Sequence, residues 1–180
     1  MIIEMYQTLY SFDFDDTLIH TMMPEPGMVI WEKKTGTKWP YTGWWSKVET
    51  LDMSIFDQPL NKWTYKKYLD AKDDPTGYLI LATGRLDTVD GMRKAVMKIL
   101  DHYQLTFDEV FLNWGGDTYK FKKTLFEKMI LKTGCRHFVM YDDRAGHMPL
   151  FENWAKEQLC TVTVVDVVNK TMKTFNKKNI

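Results

Sequence analysis

Short apolar runs that stop abruptly at polar residues recur along this chain, and they restrict its fold more than any other feature. Thr8-Leu9-Tyr10-Ser11-Phe12 ends in Asp13-Phe14-Asp15-Asp16-Thr17. The run over 77–82 ends in Thr83-Gly84-Arg85, and that over 109–113 in the turn signal Trp114-Gly115-Gly116. The run over 137–141 ends in Asp142-Asp143-Arg144, and a fifth over 161–165 closes the series. Each reads as a buried strand that delivers polar groups to a sheet edge.

Helical patterns separate these runs. Over 86–103, Val89, Met92, Val96, Ile99 and Leu100 recur at helical spacing, and over 118–133 Phe121, Leu125, Phe126 and Met129 do the same. Asp117 or Thr118 is placed to cap the second of these. A helix over 145–159 puts Leu150, Phe151 and Trp154 on one face, and 61–69 reads as a further helix. Strands alternating with helices give an α/β fold of Rossmann-like type: a mainly parallel five-stranded sheet with helices on both faces. In such folds function sits at the carboxyl ends of the strands. Polar clusters stand there on the first, second and fourth runs.

Residues 20–56 interrupt the rhythm. They hold Pro24, Pro26, Pro40 and four of the seven tryptophans, Trp31, Trp39, Trp44 and Trp45, without a clean period. The expected organisation is one domain over 1–180, with 20–56 as an inserted substrate loop or minimal cap.

Composition removes several classes. With 44% hydrophobic and 27% charged residues the chain can bury a core, and no apolar run approaches the roughly 20 residues of a membrane helix. The segment 1–7 has neither the basic flank nor the apolar centre of a secretory signal. Cys135 and Cys160 have no metal-ligand spacing and read as free thiols of a reducing cytoplasm. Equal numbers of basic and acidic residues, 24 each, argue against a duplex-coating protein but not against a local grip on one phosphate or a short strand. The lysines of 168–180 read as a soluble tail.

The acidic strand ends carry the chemistry. Asp13 and Asp15, two apart on extended backbone, point the same way. Neighbouring carboxylates repel unless a cation lies between them, and Asp142 and Asp143 from another strand end complete an oxygen-rich site suited to Mg²⁺ and phosphate. The bland reading is that these are turns and helix caps. Thr83-Gly84-Arg85 offers a hydroxyl and backbone N–H groups at a loop, which suits an anion. On a helical wheel Lys122 falls about 100° from Phe121, inside the apolar arc, where an ammonium either has an anionic partner or snorkels along the core rim. Asp16 reads as a turn former, and His147 as a helix-start residue or a site residue.

These residues resemble the haloacid-dehalogenase-like (HAD) phosphohydrolases. Asp13-Phe14-Asp15-Asp16-Thr17 matches their DxDxT signature, Thr83 their second motif, Lys122 their third and Asp142-Asp143 their fourth. A closer resemblance, through Gly43-Trp44-Trp45, Leu81-Ala82-Thr83-Gly84-Arg85, Phe121-Lys122 and Tyr141-Asp142-Asp143-Arg144, is to the HAD domain of Swiss Army Knife RNA-repair proteins. The fourth-motif Asp-Arg pair is similar to that of polynucleotide 3′-phosphatase domains. The resemblance implies a covalent mechanism with Asp13 as nucleophile, Asp15 as acid and then base, and Thr83 and Lys122 on the phosphate oxygens. It implies Mg²⁺ held by Asp13, the backbone carbonyl of Asp15 and a fourth-motif carboxylate, Asp143 before Asp142. Repair enzymes are the partners it implies.

The insertion follows the first strand, where the superfamily places its smaller caps, and a site left open admits a polymer end. Trp39, Trp44 and Trp45 either stack nucleic-acid bases or pack the loop onto the sheet. Arg85 and Arg144 are either forks for substrate or structural ion pairs. The expected activity is removal of a terminal phosphate from a single-stranded nucleic-acid end. The alternatives are a small-molecule or nucleotide phosphatase and a non-catalytic end-binding module.

Overall fold

A computed structural model describes residues 6–176. The N-terminal segment read for a signal and the lysines at 177 and 178 lie partly or wholly outside the described residues. The elements run β1 (Thr8–Phe12), α1 (Pro24–Thr35), a 3₁₀ turn (Val48–Leu51), α2 (Lys62–Lys72), β2 (Gly77–Leu86), α3 (Met92–His102), β3 (Glu109–Asn113), α4 (Thr118–Thr133), β4 (His137–Asp142), α5 (Met148–Ala155), β5 (Thr161–Asp166) and β6 (Thr171–Phe175). Among them no helix is long and apolar enough to cross a membrane.

The sheet has the order β3-β2-β1-β4-β5-β6, parallel throughout except for β6. Alternate strand residues supply its two cores, as the two-residue period of a strand requires. Phe12, Leu79, Leu81, Val139 and Tyr141 face α2 and α3, where Tyr68, Val96, Ile99 and Leu100 are buried. Leu9, Ile80, Ala82, Phe138 and Met140 face α4 and α5, with Phe121, Phe126, Phe151 and Trp154. A sheet covered on both faces explains why these strands read as continuous apolar runs.

The sheet has six strands, not five. Thr171–Phe175 pairs antiparallel with β5, with the Thr163 and Thr174 hydroxyls 2.9 Å apart and Lys173 Nζ bonded to Glu152 at 2.8 Å. An edge strand exposed along nearly its whole length needs ladder hydrogen bonds rather than an apolar run, and a lysine blunts such an edge.

The insertion is also more regular than expected. Its prolines open a helix instead of breaking one: Pro24 and Pro26 sit in the first turn of α1, where a missing N–H costs nothing. Only Gly27 of α1 is buried, so no apolar period marks the helix. A Cβ at Gly27 would lie 2.2 Å from the Trp44 ring, so that packing demands glycine. Elsewhere β2 runs on to Leu86 and α3 begins only at Met92, behind Gly91 at φ 75°, so Val89 lies in a turn. Leu150 of α5 faces solvent.

Candidate active site

The acidic ends of β1 and β4 arrive at one place because the two strands are neighbours in register, Phe12 beside Tyr141. The Asp13 N–H donates to Tyr141 O at 3.0 Å, extending the ladder one residue and fixing Asp13 beside Asp142, the last residue of β4. Beyond Asp13 the chain turns at once, with Asp16 at φ 50°, the turn role expected of it.

Lys122 reaches the same point from α4, whose start is capped by Asp117 Oδ1 accepting from Lys120 N at 2.9 Å. Its side chain is 2% exposed. Nζ donates to Asp142 Oδ2 at 2.5 Å and lies 3.0 Å from Asp13 Oδ1. The latter contact pairs charges without hydrogen-bond alignment, so Asp13 Oδ1 is buried with no hydrogen-bond partner among the described residues. Asp142 Oδ1 accepts from Arg144 N at 3.0 Å.

Carboxylate oxygens of Asp13, Asp142 and Asp143 lie within 4.8 Å of one another. Burial, joined by the charges of Asp142, Asp143 and Asp15, holds the Asp13 carboxyl well above the usual range, although Lys122 pulls the other way. Burial and then Asp142 push Asp143 up to about 6. Burial alone would lower the Lys122 ammonium, but the two facing carboxylates outweigh it and raise it. Three carboxylates against one ammonium leave the cluster short by two positive charges, the charge of one divalent cation. With an Asp13 oxygen that makes no hydrogen bond, this donor set fits a hard, oxygen-seeking ion.

A cavity of about 270 Å³ opens here, lined by Asp13, Asp15, Asp16 and Asp143, by Arg85 and Arg144, and by Met23, Trp45, Gly84 and Thr118. Asp15 does not turn its side chain to the acidic cluster. Arg85 grips it instead, Nε donating to Oδ2 at 2.9 Å and Nη2 to Oδ1 at 2.6 Å. Thr83 is fully buried, and its hydroxyl accepts from Arg85 N at 3.2 Å.

The family model for HAD domain family 1 in Swiss Army Knife RNA repair proteins matches residues 24–178. The chain belongs to this HAD family. Neither the curated proteins nor the solved structures contain a match to it. The six-stranded, mostly parallel sheet with helices fits the Rossmann-like HAD fold. HAD membership implies a phosphohydrolase working with a divalent metal, and the Asp13, Asp142 and Asp143 cluster is compatible with binding one. The family match starts after Asp13-Phe14-Asp15-Asp16-Thr17, so that motif stands on its own geometry.

Several expected substrate contacts of this HAD domain take other places. Trp44 is buried; its Nε1 donates to Met22 O at 2.7 Å and its ring packs on Phe56, so it holds the insertion together. Trp39 donates to Gly43 O and packs among Trp31, Tyr41 and Trp44. Of the three tryptophans only Trp45 lines the cavity, 40% exposed. All three guanidinium nitrogens of Arg85 are engaged inside the protein, which makes it an ion pair of the scaffold. Arg144 stays exposed at the rim. His147 precedes α5 without capping it, its ring against Tyr119 and Phe151.

Gly84, part of the expected anion-binding tripeptide, lines the cavity, and so do Met23 and Thr118, which the sequence did not point to as site residues. Thr118 was legible as the residue after the Asp117 cap, on the helix that carries Lys122. A Cβ at Gly84 would come 3.0 Å from Thr118 Cγ2, which shows how closely β2 and α4 meet there. Met23 carried no signal, because only the fold brings it to the rim.

Proposed function

We propose that the protein is a Mg²⁺-dependent phosphohydrolase that removes the terminal phosphate from a single-stranded nucleic-acid end and works beside other repair enzymes. The observation that carries the reading is Asp13: a carboxylate at the cavity, with one oxygen lacking a hydrogen bond and a buried ammonium behind it.

An Asp13 oxygen attacks phosphorus, and the bond from phosphorus to the leaving oxygen breaks. Asp15 gives its proton to that oxygen, which departs as the hydroxyl of the shortened end. Asp15 then takes a proton from water. The water oxygen attacks phosphorus, the bond to Asp13 breaks, and inorganic phosphate leaves with Asp13 restored as a carboxylate. Lys122 and Thr83 serve the phosphate oxygens, and Lys122 keeps Asp13 and Asp142 in place throughout. Asp13, Asp142 and Asp143 would hold the metal, with the Asp15 carbonyl that the family resemblance adds, and a bound metal would supply positive charge to the phosphoryl oxygens.

The nucleic-acid end is supported by the family, by the exposed Trp45 face and by Arg144, which has no acidic partner among the described residues. The test is phosphate release from oligonucleotides ending in 3′-phosphate, 2′,3′-cyclic phosphate or 5′-phosphate, beside free mononucleotides, with and without Mg²⁺. Turnover of a phosphate-ended oligonucleotide, lost on chelation, is the expected result. Turnover of mononucleotides alone would replace the polymer end by a small molecule. Binding of ends with no release under any metal would leave only the non-catalytic module.

A further inference from the structure

The second half of the site is built around a residue that no step above uses. In β2 the pairing with β3 runs from Ile80–Glu109 to Thr83–Leu112 and then jumps to Leu86–Asn113. Gly84 and Arg85 fall in that irregularity, free of regular pairing, and the Arg85 side chain is 1% exposed. A guanidinium that deep must have its donors satisfied or it costs several kcal/mol.

Its donors divide between two parts of the chain. One edge forks onto both oxygens of Asp15. From the other, Nη1 donates to Trp45 O at 2.7 Å and to Thr50 Oγ1 at 2.8 Å. Thr50 is itself buried, and its hydroxyl proton is spent on Lys47 O at 2.7 Å, so its oxygen faces Arg85 as an acceptor. The guanidinium carbon also stands 5.3 Å from the centre of the Trp45 ring, within range of a cation–π contact. Asp15 therefore cannot swing without disturbing the segment 45–50, nor that segment without disturbing Asp15.

On the phosphohydrolase reading above, we infer that Arg85 is a positioning residue: it sets the orientation of the Asp15 carboxylate at the cavity and couples it to the inserted segment through Trp45 and Thr50. Lysine cannot replace it, because an ammonium has neither the planar fork nor enough reach to serve both sides. Correct orientation of the proton donor matters most when the leaving oxygen is basic.

The experiment measures kcat and KM of the full chain with Mg²⁺ on two monoesters, a nitrophenyl phosphate, whose leaving oxygen needs little protonation, and an alkyl phosphate, whose leaving oxygen needs a proton. Arg85→Lys is expected to lower kcat on the alkyl ester about 100-fold and on the nitrophenyl ester less than about tenfold, with the nitrophenyl KM little changed. Thr50→Val, which removes one acceptor and keeps the side-chain volume, is expected to show the same selectivity at smaller size and to melt cooperatively. Equal losses on both esters in both variants would overturn the inference and leave Arg85 a structural pair. A wild-type protein that releases phosphate from neither ester nor any oligonucleotide would overturn the hydrolase reading itself, a result that involves no Arg85 variant.

Discussion

Two buried cations flank the cavity, and they are surrounded in opposite ways. Lys122 sits among carboxylates delivered by β1 and β4, which outnumber it. Arg85 faces one carboxylate and fills its remaining valences with a carbonyl and a hydroxyl from the insertion. The Lys122 side is therefore left short of positive charge and able to take up a cation and a phosphate. The Arg85 side is complete in itself and acts as framework. Where a site is unsatisfied it is poised for ligand; where it is satisfied it holds shape.

The largest effect should come from the unsatisfied side. Asp13→Asn is expected to bring phosphate release to background, while its melting temperature in chelator stays at or above that of the parent. Burial already disfavours the Asp13 charge, and Lys122 keeps Asp142 as a partner. Turnover persisting in that variant would remove Asp13 as nucleophile and dissolve the contrast between the two sides.

Lys122→Met tests the same side through stability. Deleting the ammonium leaves buried carboxylates uncompensated, a loss of about 3–5 kcal/mol, or roughly 10 °C in melting temperature in chelator. Mg²⁺ should restore more of this loss than it adds to the parent, since it replaces missing charge. A variant as stable as the parent would mean that the acidic cluster does not depend on Lys122.

The adjacent tryptophans of the insertion sharpen the comparison further. Trp44→Ala empties the space over Gly27 and beside Phe56 and should cost about 3 kcal/mol of stability. Trp45→Ala should leave the melting temperature nearly unchanged and raise the KM for oligonucleotides about tenfold, with little change for a small aryl phosphate. Calorimetry and paired kinetics separate the two. If Trp45→Ala weakens both substrates equally, its ring is packing and not a base platform.

Legibility in the sequence divides along the same line. The Lys122 side could be read because strand runs and the 3.6-residue period of α4 place Asp13, Asp142 and Lys122 almost without tertiary information. The Arg85 side could not, because whether an arginine pairs inward or reaches for substrate depends on Thr50 and the Trp45 carbonyl, residues about 35 and 40 positions away. Helix α1 was hidden because it buries one glycine, and the Trp44 and Trp45 roles because adjacent residues of one type part only when Gly27 admits one of them. Strand β6 was hidden because it lies exposed along nearly its whole length, so its residues carry no apolar run or clean alternation.

The smallest effect isolates the excess negative charge itself. In the folded, metal-free protein the Asp143 carboxyl is pushed up to about 6, by burial first and the Asp142 charge second. Its unfolded value lies near 3.9. Between about pH 4 and 6 the folded state thus holds a proton that the unfolded chain has released, so this residue makes stability fall as pH rises through that window. Above about pH 6 the full penalty is present. Asp143→Asn should remove that slope and, in chelator at pH 7, raise the melting temperature slightly above the parent. Mg²⁺ should flatten the parent curve in the same window, because a cation between the carboxylates favours their ionised form. A parent whose stability in chelator instead rises from pH 4 to 6, and an Asn variant that tracks it, would mean that Asp143 is solvated and paired well enough to stand outside the cluster, leaving only Asp13 and Asp142 to share Lys122.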